Sequence, residues 1–325
     1  MVGSRGTVPS VTAVPSPASI DAVARSSGRP NRVQGDDRWV LAVDVGCQRL
    51  SAGLVSASGQ MVVRDRVTTP TRGVWSALER LVRRVVAARS AEHDRIGWCG
   101  VTCEGPIEEP AGRVSPLSMP ALQGFELRKR ISELTDIDAV LETRGNGRAM
   151  AERWFGGHDP DDADHMIVII ASESVDGGVI VDGQVVHGRT GNAGNLAHVL
   201  VELDDGLACL CGGSGCLMPY VSTRALEAEI NRPLRRAPAS IRERTGVMLG
   251  RAIATAASSF DSRLALIGGA TVAGLGPELT EVVARETAQR AKLSHLQDLR
   301  VDTVALGPEG PLLGAAVSAL SRARR

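Results

Sequence analysis

Aromatic side chains are scarce in this chain: of 325 residues, four are Trp, three Phe and one Tyr. A surface that stacks nucleobases needs several such rings, so this composition is poor for single-strand binding. Neither sign of charge is in excess, because 37 Lys+Arg offset 37 Asp+Glu. A neutral total gives no electrostatic reason to expect nucleic acid or an anionic membrane as a partner. Long apolar runs are missing as well; none reaches the ~18 residues of a membrane span. Cysteine is sparse, at six, too few for a disulfide scaffold at this length. Cys47, Cys99 and Cys103 read as buried or loop positions, and a reducing cytoplasm is the expected compartment.

What is present is Ala, Val and Leu in short runs. Residues 1–37 are rich in Ser, Pro, Ala, Arg and Gly without periodicity and read as a disordered tail. Pro9, Pro15 and Pro17 interrupt the one stretch that could serve as a signal-peptide core. From Arg38 the run WVLAVDVG has the look of a buried central strand. LSAGLVSASGQMVVRDRV alternates about a Ser-Gly turn and predicts a hairpin. Trp75, Leu78, Leu81, Val82, Val85 and Val86 form a stripe at helical spacing. Strands and helices then alternate in two blocks to the C-terminus, which predicts an α/β protein with two sheets and a cleft between them.

The densest chemistry lies between Gly191 and Tyr220, GNAGNLAHVLVELDDGLACLCGGSGCLMPY. Cys209 and Cys211 stand one residue apart, and Gly212, Gly213 and Gly215 let the backbone return Cys216 to the same point. With His198 they make three sulfurs and one nitrogen, the donor set of a structural Zn²⁺ site. A Cys209–Cys211 disulfide would be too short a loop for relaxed geometry. Four protein ligands leave no position for a catalytic water, so the metal is expected to be structural.

This segment resembles the signature of the ROK family (repressors, open reading frames and sugar kinases), approximately G-x-A-G-E-x-G-H followed by C-x-C-G-x-x-G-C-x-E. Here it reads GNAGNLAH and CLCGGSGCLM, with Asn195 and Met218 where the family has glutamates. The resemblance covers about residues 38–322. It implies the two-domain actin-like ATPase fold, ribonuclease H-like in each half, with an interdomain cleft. The implied division is an N-terminal domain of 38–145 joined by the returning helix 311–325, and a larger domain of 146–310 carrying the zinc motif. It also implies a homodimer, a sugar ligand, and ATP with Mg²⁺ as the phosphoryl source.

The catalytic positions depart from that pattern. The first phosphate loop, D-x-G-G-T-K in the family, is Asp44-Val45-Gly46-Cys47-Gln48-Arg49; Asp44 could hold Mg²⁺ through water or simply cap the turn, and Cys47 crowds a backbone that must approach phosphate. The second, G-T-G-x-G-x-G, is Ser172-Glu173-Ser174-Val175-Asp176-Gly177-Gly178, which reads as a solvated turn whose acids would repel a polyanion. Gly177 survives there, and Gly268 and Gly269 in IGGATV resemble the adenosine turn. The base motif E-N-D-A-N-A-A-A-x-A-E becomes Glu142-Thr143-Arg144-Gly145-Asn146-Gly147-Arg148-Ala149-Met150-Ala151-Glu152. Arg144 therefore stands where the resemblance implies the catalytic aspartate, and a guanidinium accepts no proton. Losing a general base removes ~10²–10⁴ in rate, with Glu142 expected to point away from the cleft.

By the same resemblance the sugar contacts are Ser118, Thr143, Arg144, Asn195, His198 and Met218. The first expectation is thus a sugar-kinase-like protein without kinase chemistry, acting in binding or regulation. Arg144, Arg148 and Asn195 would make its cleft cationic and suit an anionic sugar. The alternative is an active, glucokinase-like hexose kinase. The third is a transcriptional regulator, for which the N-terminal tail is too short to form a winged helix-turn-helix.

Overall fold

In the computed structural model, residues 39–90, 93 and 95–323 are described; the expected disordered tail at 1–37 lies outside them. The chain begins with β1 (Trp39–Val45), β2 (Arg49–Val55) and β3 (Met61–Thr68), an antiparallel meander. Helix α1 (Val74–Ala87) buries Val74, Leu78, Leu81, Val82 and Val85 against it. This is the stripe its spacing predicts, and each fully buried Leu or Val contributes ~1.5–3 kcal/mol. Strand β4 (Ile96–Cys103) runs parallel to β1; a small ribbon, β5 (Ile107–Glu108) and β6 (Arg113–Val114), and helix α2 (Leu127–Thr135) lead to β7 (Ala139–Thr143), parallel to β4. The first sheet has the order β3-β2-β1-β4-β7.

Helix α3 (Arg144–Phe155) follows without a loop, its first turn capped by the Thr143 hydroxyl, which accepts from Asn146 N as an N-cap should. After the short α4 (Pro160–Ala163) the pattern repeats. Strands β8 (Met166–Ala171), β9 (Val175–Val181) and β10 (Gln184–Val185) form a second meander. The β9–β10 hairpin turns on Asp182 and Gly183, both at positive φ, as the Asp-Gly pair predicts. Helices α5 (Met218–Val221), α6 (Thr223–Ile230) and the long α7 (Ala239–Phe260) precede β11 (Leu264–Gly268). Then come α8 (Ala270–Leu275), α9 (Glu278–Arg290), β12 (Arg300–Thr303) and α10 (Gly310–Arg322). The second sheet is ordered β10-β9-β8-β11-β12, the same arrangement of three antiparallel and two parallel strands as the first.

Two helices cross between the sheets. α3 leaves the first sheet and packs on the second, burying Ala149 and Met150 with Met166, Val168 and Ile180. α10 leaves the second and packs on the first, burying Leu312, Ala315, Ala316 and Ala319 with Val40 and Ala42. Where they meet, a Cβ on Gly314 would lie 2.7 Å from the Gly147 backbone. Gly100 on β4 is tighter still: a Cβ there would sit 1.8 Å from Ala315 O. Such contacts let helix backbones lie directly on strands. The parallel strands β1, β4 and β7 all end toward the cleft, where α/β sheets place their ligands.

Gly100→Ala should therefore lower unfolding stability by about 3 kcal/mol through overpacking. Gly307→Ala, with nothing within 4 Å of the added carbon, should change it by less than about 0.5 kcal/mol. Urea denaturation of both variants measures this.

Candidate functional site

Asp44 near the end of β1, Glu104 just beyond β4 and Arg144 just beyond β7 are brought together because their strands are neighbours and run the same way. Arg144 Nε donates to Asp44 Oδ1 at 2.9 Å, and Nη1 donates to Asp176 Oδ2 at 3.1 Å on β9 of the other sheet. Glu104 Oε1 is 3.7 Å from the same Nη1. All three carboxylates are buried, and the arginine side chain is 21% exposed. Burial alone would lower the guanidinium pKa, but Asp44, then Asp176 and Glu104, hold it well above its ordinary value. The cation is permanent.

One cation cannot satisfy three anions. Asp176 is left short: burial raises its carboxyl, Arg144 offsets part of that, Glu104 and Asp44 add to it, and the pKa is pushed up to about 7. The solvated turn expected around Asp176 is thus a correction, since this residue lies inside β9 and is buried. Its side chain faces the cleft because strand residues alternate.

The amides that would cradle phosphate are engaged. Cys47 N donates to Glu104 Oε1 at 2.8 Å, and Gly46 N to Arg49 O at 3.1 Å. Asp44 also accepts from the Thr102 hydroxyl at 2.9 Å. Ser172 Oγ accepts from Ala270 N at 3.0 Å, closing the turn at Gly268 and Gly269. A cavity of about 1240 Å³ does open beside Asp44, Gly46, Arg144 and Ser172, reaching toward Phe155 and Leu312. Gly177, Gly268 and Gly269 do not line it. Gly177 instead serves close packing: a Cβ there would be 2.3 Å from Gly194 O. Gly177 lines the smaller hollow described next, and the turn at Gly268 and Gly269 abuts the cavity through Ser172.

The sugar-side residues do converge. Ser118, Thr143, Asn195, His198 and Met218 line one small hollow with Glu104 and Asp176. Its volume is about 40 Å³, room for a water molecule at ~30 Å³ each and too little for a pyranose. Arg144 lines the larger cavity rather than this hollow. The Ser118 hydroxyl donates to Glu104 Oε2. Glu142 points away, as expected, and bonds His187 Nε2 at 2.8 Å and Asn146 Nδ2 at 3.0 Å.

The expected cationic cleft is not formed by Arg144 and Arg148. The first is outnumbered by carboxylates. The second turns to the carbonyls of Leu306 and Gly307 and to Glu152, because α3 presents it to the link before α10 rather than to the cleft.

Two residues escape sequence reasoning. Glu104 sits between a strand and Gly105-Pro106, and only its place at the carboxyl end of a parallel strand would have flagged it. Asn192 ties the two halves, accepting from Ile107 N at 2.8 Å and donating to Ile107 O at 2.6 Å.

Behind the hollow, His198 Nδ1 lies 3.6 Å from Cys209 Sγ, and Cys211 Sγ lies 3.8 Å from Cys216 Sγ. All four ligand atoms fall within 4.8 Å of one another, and all six thiols of the chain are free. A tetrahedral zinc with Zn–S ~2.3 Å and Zn–N ~2.0 Å would separate its sulfurs by ~3.8 Å and sulfur from nitrogen by ~3.5 Å. The donor set fits that ion.

Two crossed sheets of identical strand order with a cleft at their strand ends define the actin-like, two-domain ATPase class, in the form found in sugar kinases. The chain belongs to the ROK family, whose model it matches over residues 40–322. It is 28% identical over 296 residues to an N-acetylmannosamine kinase of Escherichia fergusonii, covering 86% of this chain and 97% of that one. It is 27% identical over 195 residues to a glucokinase of Halalkalibacterium halodurans, and that match spans 58% of each protein. Among solved structures, a ROK hexokinase from Thermus thermophilus superposes with a TM-score of 0.75 at 26% identity, covering 88% of this chain and 99% of that one.

Arg144→Met should cost about 3–5 kcal/mol at pH 8, because it leaves three buried carboxylates facing one another, and less at pH 5, where Asp176 is protonated. For Asp176, the folded chain keeps a proton that the unfolded chain releases near its ordinary value of 3.8. Stability from this group is thus present below about pH 4 and is lost as pH rises to about 7. Asp176→Asn should flatten that decline and stabilise the protein at pH 8 by on the order of 2 kcal/mol. Urea midpoints across pH 4–8 would check both.

Proposed function

We propose that this chain is a sugar-binding member of the ROK family in which phosphoryl transfer is impaired, acting through ligand binding or regulation. The observation that carries this is Arg144: the residue at the base position is a cation held by Asp44, Asp176 and Glu104. A general base must have a free lone pair within reach of the attacking hydroxyl, and a guanidinium has none.

Kinases of this family use ATP and Mg²⁺. The residues present do not fit that pair. The loop amides are consumed by Glu104 and Arg49 O, and Asp44 is engaged by Arg144 and Thr102. The sugar residues do gather in one place, which supports a sugar ligand. Because the hollow holds only about 40 Å³, sugar entry requires the halves to part about α3 and α10, a hinge motion common to such clefts. We divide the halves as 38–145 with the returning helix, and 146–310.

We infer further that His198, Cys209, Cys211 and Cys216 hold a structural Zn²⁺. His198 and Leu210 also border the sugar hollow, so the ion would fix one wall of that pocket.

A second reading keeps catalysis. Asp176 lines the sugar hollow with a carboxyl near neutrality, the range suited to a general base. Its bond to Arg144 and the filled phosphate loops favour the first reading.

Coupled measurement of ADP release over a panel of hexoses and N-acetylhexosamines is expected to show no turnover above background. Phosphorylation at an ordinary rate, abolished by Asp176→Asn, would establish the second reading instead. For the metal, elemental analysis should return one zinc per chain. Cys211→Ser should release it and, by loosening the pocket wall, lower the melting temperature and weaken sugar binding; an unchanged metal content would refute the assignment.

A further inference from the structure

The sugar hollow has one charged side chain whose role is still open. Arg224 lines it and is exposed. It makes no ion pair or side-chain hydrogen bond with any other described residue, whereas Arg144 and Arg148 are each paired with carboxylates. Its root is rigid. The preceding residue, Thr223, is buried, donates its N–H to Ser172 O at 2.7 Å and shares a hydroxyl hydrogen bond with Thr271 at 2.9 Å. The guanidinium is thus offered to the pocket mouth from a fixed point on α6.

The surroundings favour an anion there. Asn195 and Met218 are neutral. The floor acids, Glu104 and Asp176, are already bound to Arg144, and Glu104 also takes the Ser118 hydroxyl and Cys47 N–H. Glu173 is the remaining carboxylate of the lining, and it forms no ion pair with Arg224. An unopposed, planar, five-donor fork recognises a carboxylate or phosphate in two-point fashion.

We propose that Arg224 is a specificity-determining residue that selects an acidic sugar, a hexuronate or a sugar phosphate, over its neutral parent. This rests on the sugar-binding reading above and replaces the cationic floor expected from Arg144 with a cation at the mouth. Neutral sugars satisfy the hydroxyl-binding residues alone; an acidic group adds a charge-assisted pair at Arg224.

Calorimetric titration of the zinc-loaded full chain with glucose, glucuronate and glucose 6-phosphate tests it. At least one acidic sugar should bind about tenfold tighter than glucose at low salt, and the advantage should shrink at 0.5 M NaCl. Arg224→Gln should erase that advantage while leaving glucose unchanged, and Arg224→Lys should keep part of it. Comparing the two acids tells carboxylate from phosphate. Equal affinity for all three sugars, or an equal loss for all three in Arg224→Gln, would overturn the inference while leaving sugar binding in place. Absence of binding by every sugar would overturn both.

Discussion

Everything at the centre of this molecule is arranged around one guanidinium shared by three buried carboxylates. Arg144 links Asp44 and Glu104, at the ends of neighbouring strands in the first sheet, to Asp176 in the second. Buried charges persist only when paired, so the groups hold one another in place, and the bond crosses the cleft a substrate must enter. The geometry therefore couples two properties that are separable in a kinase. The contact that closes the halves is also the contact that occupies the seat of the base.

How much of this is legible in the sequence depends on how local the determinant is. The four proposed metal ligands lie within nineteen positions, from His198 to Cys216, and glycine spacing is enough to bring them together. The identity of residue 144 is readable because the motif around it keeps Asn146, Ala149, Ala151 and Glu152 in register. Strand order is readable in type, since alternation and helix stripes fix the elements. Glu104 and Asn192 are different. Arg144 lies 40 positions from Glu104 and Ile107 lies 85 from Asn192, and no periodicity in either neighbourhood distinguishes a carboxylate that faces a cleft from one that caps a turn. The glycines are ambiguous for a related reason. Gly177 is needed where β9 meets the backbone of Gly194 and Leu196, and Gly145 and Gly178 where α3 and β9 touch backbone to backbone, and a glycine required for packing looks, as a letter, the same as one required for phosphate.

The metal segment and the ion cluster meet at the sugar hollow from opposite sides. On one side His198 and Leu210, from the Cys/His cluster segment, border the hollow; on the other, Glu104 and Asp176 make its floor. A metal held by His198, Cys209, Cys211 and Cys216, as proposed, would fix a loop that has little regular structure of its own, and the wall beside His198 would then not depend on the strands that carry the floor. A pocket built this way can lose its chemistry at the floor and still keep a shaped wall. That is why the proposed reading rests on binding, with Arg144 a cation among Asp44, Asp176 and Glu104.

The third element of the argument is the polar stripe along α3. Arg144, Arg148 and Glu152 are spaced by four residues and so share one face of the helix. Arg144 reaches both sheets, Arg148 reaches the carbonyls of Leu306 and Gly307, and Glu152 is fully buried, accepting from Ala305 N and Leu306 N at 3.0 Å each. The stripe therefore fastens the first crossing helix to the link that precedes the second. Each member answers a group that would otherwise be buried and unpaired, which costs more than the bond itself gains. An arginine at 144 belongs to this set by chemistry as well as by spacing. It continues a run of interlocked charges, where an aspartate would add a fourth carboxylate to Asp44, Glu104 and Asp176. Arg144 is thus consistent with its whole surroundings.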